Sequence, residues 1–293
     1  MVPAEVYCGR FLFDELEHAI YKFVAELEPG LILDVGAAAG YYSAFIVQLS
    51  PKSKVLAFEP FPGNWPHFEK RVGDNPSIVL RKEAVAGETG SVKFYVASTV
   101  QGSEAGWSTM QGYSSIGRIV AKNHPKVGEA IEVPAVRLDD VVHEHVRFCK
   151  MDVQGGELAV LRGADRLIKE HGVDVFYIEF GGEIEILKLL SERGYVLFDS
   201  EYLLVIRKQK PLPEKWNITG PVKLSTGDEA YYAWPKDIPR SIENYCAWIK
   251  EQTGLLGGVF SDVVAVHHSF LPEFLSSAGR AMAQKSAEAP VAI

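Results

Sequence analysis

The chain has 293 residues and carries 30 basic against 38 acidic side chains, a net charge of −8 at pH 7. This length suits one large α/β domain with additions or two small domains. The acidic balance, with no basic cluster among aromatic residues, excludes the usual footprint of a nucleic-acid-binding protein. No apolar run approaches the ~18 residues that span a bilayer, and the first residues lack signal-peptide features. We therefore expect a cytoplasmic protein with a small-molecule partner and no membrane or nucleic-acid partner.

The predicted elements begin with an amphipathic helix, because apolar side chains recur at helical intervals from Phe11 to Leu27. A short apolar strand, "LILDVG", follows this helix. A helix over "YYSAFIVQLS" and a second apolar strand, "KVLAFEP", come next. Strand, helix and strand in this order form a βαβ unit, which predicts that the two strands lie parallel in one sheet.

Beyond this unit the chain keeps alternating strands and helices as far as Lys208. The alternation predicts a mostly parallel sheet covered on both faces. An antiparallel pair of "YVLFDS" with "YLLVIRK" is expected to close one edge. Residues 97–130 are rich in Gly, Ser and Gln and predict a loop or lid. The predicted division is an N-terminal helical segment at 1–30, a domain at 31–208 and an extension of unknown role at 209–293.

The turn after the first strand has the spacing D-x-G-x-x-x-G, from Asp34 to Gly40. Ligands of parallel sheets bind at the carboxyl ends of the strands, where the strand order reverses. Gly36 and Gly40 let the backbone approach a ligand closely, and the helix that begins at Tyr41 offers N–H groups and the positive end of its dipole. An Asp in this cradle repels a pyrophosphate, whereas it can accept a hydrogen bond from an ammonium group. The turn therefore predicts a ligand with an amino-acid end.

The end of the next strand supplies a second acid, Glu59, which Pro60 follows. It lies about twenty residues beyond the glycine turn, the distance at which a carboxylate binds ribose hydroxyls in nucleotide-binding sheets. A ligand that combines an amino-acid end with a ribose is S-adenosylmethionine. We therefore predict S-adenosylmethionine as the cofactor.

Five motifs in order resemble those of the FkbM-type methyltransferases, a family that uses S-adenosylmethionine. They are "DVGAAAGYYS", "FEPFPGNW", "YSSIG", "VPAVRLDDVV" and "KMDVQGGELAVLRGA", and "YIEF" then matches the acid-bearing strand of the family. The resemblance runs from about Leu31 to Lys208. It implies a Rossmann-like, doubly wound, mostly parallel seven-stranded sheet of the class I methyltransferase type. It also implies a role in sugar or natural-product tailoring.

Acids and neighbours at the ends of later strands complete the predicted site. Asp152 follows "RFCKM" and is the first candidate to bind or deprotonate the acceptor, although capping the next helix is an open alternative. Glu179 ends the neighbouring strand. The two acids either bind the acceptor directly or hold a divalent metal, and the metal is the less favoured of the two. Glu83 and Ala84 fall where this fold meets an adenine ring.

Several other polar residues receive mainly structural interpretations. Gln154 stands where the family usually carries Glu, which puts any charge-dependent role there in doubt. Glu157 lies in the first turn of its helix, where an acid complements the dipole. His143 and His145 precede a strand at its amino end, the wrong edge of the sheet for catalysis. Asp139 is expected to cap or brace the connection into that strand.

The predicted reaction is methylation of a hydroxyl on a small molecule, a sugar or a natural product. Small-molecule N-methylation is the nearest alternative, and a non-catalytic module that keeps the cofactor pocket is another. A dinucleotide oxidoreductase is disfavoured, because Asp34 lies where phosphates would bind. The residues do not distinguish among acceptors, and they leave metal dependence and oligomeric state open.

Overall fold

The structure, a computed structural model, describes residues 6–8, 23–97, 114–116, 127–199, 203–204, 216–223, 229–235, 241–256 and 261–277. Most of the predicted N-terminal helix and most of the predicted loop at 97–130 lie outside the described residues. The chain divides into two compact units, residues 27–179 and residues 1–26 with 180–293. The domain boundary expected at residue 208 does not coincide with this division, and it stays a prediction.

The described part of the chain contains both strands and helices. The strands are β1 (Val6–Cys8), β2 (Leu31–Val35), β3 (Lys54–Phe58), β4 (Ile78–Arg81), β5 (Ala84–Val85), β6 (Gly90–Ala97), β7 (Ser114–Ile116), β8 (Val127–Val136), β9 (Val146–Met151), β10 (Val173–Phe180), β11 (Tyr195–Asp199), β12 (Leu203–Leu204), β13 (Trp216–Lys223), β14 (Glu229–Pro235) and β15 (Ser261–His267). The helices are α1 (Tyr41–Leu49), α2 (Trp65–Val72), α3 (Leu138–Val141), α4 (Glu157–Gly163), α5 (Asp165–Lys169), α6 (Ile184–Glu192), α7 (Ile242–Leu256) and α8 (271–277). None of these described helices is long and apolar enough to cross a membrane.

The first unit is built on a parallel sheet with the strand order β10-β9-β2-β3-β4. Nearly every residue of β9 and β10 is buried, so both faces of the sheet are covered there. The chain leaves β2 towards β3 and β4 on one side and returns to β9 on the other. The strand order therefore reverses between β2 and β9, the place where parallel sheets bind ligands. The predicted mostly parallel, Rossmann-like α/β fold is confirmed.

A second, smaller sheet in the same unit has the order β5-β8-β6-β7. Strand β6 runs antiparallel to β7 and β8, while β5 runs parallel to β8. A small apolar cluster that includes Ala84 and Phe94 is buried with it. The strand "GSVKFYVA" thus lies outside the parallel sheet, because its partner is β8, a strand that the sequence analysis did not identify.

The second unit shows that one predicted strand pair is wrong. Strand β11, the predicted "YVLFDS", pairs antiparallel with β15 and parallel with β1, whereas β12 of "YLLVIRK" pairs with β14. The physical reason is burial, since Val263, Val264, Ala265 and Val266 of β15 are all at most 1% exposed. An uninterrupted apolar run, three of whose four residues are β-branched, buries more apolar surface beside β11 than a segment that ends in Arg and Lys. Part of the predicted extension thus supplies a strand beside β11.

Candidate functional site

The candidate site lies at the carboxyl ends of β2 and β9, where the strand order reverses. The two strands are in parallel register, with Asp34 beside Lys150 and Val35 beside Met151. Both strands end in buried apolar residues, and each then leads into a glycine-containing turn. This register brings the polar residues of two distant motifs, "DVGAAAG" and "KMDVQGG", to one place.

The turn after β2 is close-packed against the end of β9. Gly36 has a φ of +81°, and a Cβ at this position would lie 1.9 Å from the backbone oxygen of Asp152. Gly40 has a φ of +76° and is the N-cap of α1, where no side chain caps the helix. A Cβ at Gly40 would lie 2.7 Å from the ring of Phe68. The two predicted glycines are therefore required by the backbone path and by close neighbours.

We expect Gly36→Ala to lower the free energy of unfolding by at least about 2 kcal/mol more than Gly73→Ala, because the added methyl group must displace backbone. Gly73 is a matched control, since its φ is also positive, at +59°, but a Cβ there would meet nothing within 4 Å. Denaturant unfolding of both variants measures the difference. Equal losses would show that the close approach of the two strand ends is not constrained as described.

Asp34, at the end of β2, is completely buried. Its Oδ2 accepts a hydrogen bond of 2.6 Å from the hydroxyl of Ser43 in α1. Its Oδ1 lies 3.5 Å from Nζ of Lys150 and accepts no hydrogen bond from any described residue. The carboxylate thus ties the end of β2 to the first turn of α1, and the predicted contact with a ligand ammonium stays a prediction.

Lys150 is the buried cation of this site, with 3% exposure. Its ammonium donates a hydrogen bond of 2.8 Å to the backbone oxygen of Gly36, lies 3.5 Å from Oδ2 of Asp152, and sits over the ring of Tyr42. Burial alone lowers the pKa of Lys150, but the charges of Asp152 and Asp34 outweigh it, so that the pKa is raised. Lys150 is therefore an ammonium at neutral pH and connects the two strand ends.

Glu59, at the end of β3, is also buried, with 3% exposure. Its Oε2 accepts the N–H of Ala38 and its Oε1 accepts the N–H of Phe61, both at 2.8 Å. Burial raises the pKa of Glu59, although these hydrogen bonds oppose the shift. Pro60, which follows, is buried as well. The side chain of Asn64 also hydrogen-bonds this carboxylate, which leaves one of its four lone pairs to accept a hydrogen bond from a ribose.

Asp152 and Glu179 come together through the side chain of Gln154. The amide nitrogen of Gln154 donates to Oδ1 of Asp152 and to Oε2 of Glu179, each at 2.8 Å. The side chain of Asp152 is 35% exposed, in contrast to the buried Asp34 and Lys150. The predicted pair of acids is therefore adjacent, as the strand order implies, and Asp152 is open to solvent.

Glu157 shapes the turn that carries Gln154. Its Oε1 accepts the N–H groups of Val153 and Gly155, both at 3.1 Å, and burial raises the pKa of this side chain. Asp152 is not a side-chain cap of α4, because the N-cap of that helix is Gly156 and no side chain bonds it. The capping alternative for Asp152 is thus wrong, and the structural interpretation of Glu157 agrees with these bonds.

The remaining predicted cofactor residues surround the same edge of the sheet. Tyr41 begins α1 and is 46% exposed, with its ring stacked on Phe45. The carboxylate of Glu83 pairs with Arg81 through two hydrogen bonds, of 2.7 and 3.1 Å. Ala84 is buried in β5. Contacts of these residues with an adenine ring stay predictions.

The histidines and Asp139 take the structural positions expected of them. His145 lies at the amino end of β9, and its Nε2 is 2.9 Å from Oδ1 of Asp174 near the start of β10. Asp139 accepts the N–H groups of Arg166 and Leu167 in α5, at 2.9 and 3.0 Å. These residues therefore brace the opposite end of the strands from the candidate site.

Among the residues that the structure describes, no group of three or more His, Cys, Asp or Glu side chains could hold a metal ion. The sequence analysis missed Lys150 and the bridging role of Gln154. A signal for Lys150 exists, because a lone lysine in the middle of the apolar run "RFCKM" needs a buried negative partner. The bridging role has no comparable signal, since it depends on the distance between two strands.

Comparisons with known proteins agree with this geometry. The sequence model of a family described as "Methyltransferase FkbM domain" matches residues 34–197. A protein of Beauveria bassiana named "Methyltransferase 1" is 28% identical over 151 residues, which are 47% of this chain and 59% of that protein. "Methyltransferase sdnD" of Sordaria araneosa is 25% identical over 213 residues, 64% of this chain and 82% of that protein. The chain thus covers less than two thirds of the length of the first relative.

Solved structures with a similar course of the chain are more distant. A methyltransferase FkbM from Methylobacillus flagellatus KT aligns with 71% of this chain and 45% of its own, at 15% identity and a TM-score of 0.39. A precorrin-6y C5,15-methyltransferase from Geobacter metallireducens GS-15 aligns with 91% of this chain and 100% of its own, at 11% identity and a TM-score of 0.42.

Proposed function

The chain belongs to the methyltransferase FkbM domain family, whose model covers more than half of it, and from this premise we propose that it transfers a methyl group from S-adenosylmethionine to a hydroxyl group of a small molecule. The family resemblance found in the sequence is confirmed. The observation that carries the proposal is the meeting of the glycine turn with Glu59 and Asp152 at the point where the strand order reverses.

The residues at this edge fit the chemical groups of S-adenosylmethionine. The absence of a Cβ at Gly36 lets the turn approach the backbone of Asp152 closely, and α1 begins without a side-chain cap. An aminoacyl carboxylate is favoured at the start of such a helix. Glu59 has a lone pair left for a ribose hydroxyl. The buried Oδ1 of Asp34 already faces the ammonium of Lys150, so Asp34 supports the site by holding the end of β2 to α1.

The bound cofactor supplies a methyl group that is already activated by a sulfonium, so the chain must orient the acceptor and take up its proton. Asp152 is the group with the right exposure and position for this role. Its Oδ2 faces the ammonium of Lys150 and its Oδ1 faces the amide of Gln154. As a positioned carboxylate it can accept the proton of a hydroxyl group, a contribution of typically 10² to 10⁴ in rate.

A small acceptor is favoured by the charge of the protein. The net charge is −8, and a polyanionic nucleic acid would be repelled at long range. The choice of a hydroxyl as the acceptor group depends on Asp152, because an alcohol must lose its proton as it becomes an ether. A sugar or a natural product is the substrate class that the family resemblance implies.

We expect Glu59→Gln to weaken the binding of S-adenosylhomocysteine, a stable analogue of the cofactor, by about 10- to 100-fold. The variant loses the charge that strengthens the ribose hydrogen bond. Because burial raises the pKa of Glu59, the ionised form of the wild type is lost at a higher pH than for an ordinary glutamate. Wild-type affinity should therefore fall as the pH is lowered from neutrality, and the affinity of the variant should change less.

Isothermal titration of both proteins measures these affinities, with Glu88→Gln at an exposed position as the control. An unchanged affinity in Glu59→Gln would remove Glu59 from the binding site. Binding of NAD without binding of S-adenosylmethionine would overturn the proposed function. Methylation of small amines, rather than of hydroxylated metabolites, would move the proposal to N-methylation.

A further inference from the structure

Gln154 occupies an unusual place, between two carboxylates that lie at the ends of neighbouring strands. A carboxamide nitrogen carries two protons, and both are used, one by Asp152 and one by Glu179. The other end of the amide cannot take this place, because ionised carboxylates only accept hydrogen bonds. The nitrogen end of Gln154 therefore has to point towards the two acids.

The backbone holds Gln154 in this place at a conformational cost. Its φ is +58°, in the left-handed region that non-glycine residues rarely adopt, and Gly155 follows at +101°. Glu157 stabilises this turn by accepting the N–H groups of Val153 and Gly155. Strain of this kind persists where the surroundings over-determine it, and it often marks a functional position.

The charges of Asp152 and Glu179 explain why a hydrogen-bond donor is needed between them. Two carboxylates that reach the same nitrogen repel each other unless a positive or donating group lies between them. The ammonium of Lys150 lies 3.5 Å from Oδ2 of Asp152, and its charge also interacts with that of Glu179, but it makes no bridge between Oδ1 of Asp152 and Oε2 of Glu179 among the described residues. The amide of Gln154 donates to both Oδ1 of Asp152 and Oε2 of Glu179 and so bridges the two acids. A divalent cation can occupy the space between two such acids when a third carboxylate stands in place of the amide of Gln154.

We propose that Gln154 is a positioning residue that replaces a divalent cation between Asp152 and Glu179. Its two hydrogen bonds hold both carboxylates adjacent and oriented, so that Asp152 takes up the acceptor proton without a metal ion. This inference rests on the proposed function in one respect only, namely that Asp152 takes up the proton of the acceptor. This inference takes the place of the less favoured alternative, in which the two acids hold a divalent metal.

The first test is metal binding, measured without cofactor or acceptor. Gln154→Glu makes a cluster of three carboxylates of nearly unchanged shape, and it should bind Mn²⁺ saturably, at least about tenfold more tightly than the wild type. Electron paramagnetic resonance of free Mn²⁺ measures the binding. Gln48→Glu is the matched control, because it adds the same charge at an exposed position of α1. Thermal unfolding confirms that the variants are folded.

The second test is the pH dependence of methyl transfer, which a merely structural role would not move. Gln154→Met keeps the length of the side chain but removes both donors. The acid limb of the pH profile should then move to higher pH, because the two adjacent carboxylates lose the donor between them. The wild-type rate should be unchanged by EDTA.

The results of these two tests can overturn the inference about Gln154. Saturable Mn²⁺ binding by the wild type, or an equal affinity in Gln154→Glu and Gln48→Glu, would overturn the inference. An unshifted acid limb in Gln154→Met would do the same. The Mn²⁺ titration does not depend on S-adenosylmethionine, whereas a failure of the proposed function appears as absent S-adenosylhomocysteine binding by the wild type.

Discussion

Replacing Lys150 with methionine is expected to lower the free energy of unfolding by about 3–5 kcal/mol, the usual cost of removing one partner from a buried ion pair. Asp34 has no exposed surface and would be left without the ammonium that lies 3.5 Å from it. Asp152 and the backbone oxygen of Gly36 would lose the same partner. Methionine fills most of the volume, so the loss reports the charge and not a cavity.

Denaturant unfolding followed by circular dichroism measures this loss. Lys169→Met is the control, because Lys169 pairs with Asp165 on an exposed helix and such pairs contribute about 0–1 kcal/mol. The double variant Asp34→Asn with Lys150→Met should recover at least about 1 kcal/mol, since it removes the uncompensated charge. A loss as small as that of Lys169→Met would contradict the role of the buried ammonium.

The stabilisation by Lys150 also has a defined pH range. Its folded pKa is raised above the ordinary value of 10.5, so the contribution is complete below that value and is lost only as the pH rises through the raised pKa. The difference between wild type and Lys150→Met should therefore be constant around neutrality and shrink in strongly alkaline solution.

Replacing Asp152 with asparagine is expected to lower kcat for methyl transfer by about 10² to 10⁴-fold while leaving the fold intact. The asparagine has the same shape and can still accept the hydrogen bond from Gln154, but it cannot accept the proton of an alcohol. The affinity for S-adenosylhomocysteine should change by no more than about threefold, since the reacting proton belongs to the acceptor.

Transfer of a labelled methyl group to hydroxylated metabolites that the wild type methylates measures kcat, and titration measures the affinity. Asp165→Asn on the exposed surface of α5 serves as the control. Retention of more than about half of the activity would assign the proton to another group.

The part of the site that could be predicted from the sequence is the part that local chain order determines. Asp34, Gly36, Gly40 and Glu59 lie within one βαβ unit, so their spacing along the chain also fixes their positions in space. The family motifs extended the predicted site to Asp152. Their arrangement at one edge follows from the general rule that parallel strands present their carboxyl ends together.

The rest depends on pairings between distant segments. The contact of Asp34 with Lys150 requires the register of β2 against β9, which the residues of either strand alone do not specify. The pairing of β11 with β15 spans more than sixty residues and depends on which apolar strand buries more surface. The amide bridge of Gln154 requires both the strand order and a left-handed backbone at that residue.

The two hydrogen bonds of Glu59 have a consequence for the speed of ligand capture. One carboxylate holds the N–H of Ala38 in the turn after β2 and the N–H of Phe61 in the turn after β3. Both turns are thus locked to a single rigid side chain before any ligand arrives. Association then costs little conformational entropy in these turns, and we expect its rate to be set by diffusion into the pocket rather than by ordering of the loops.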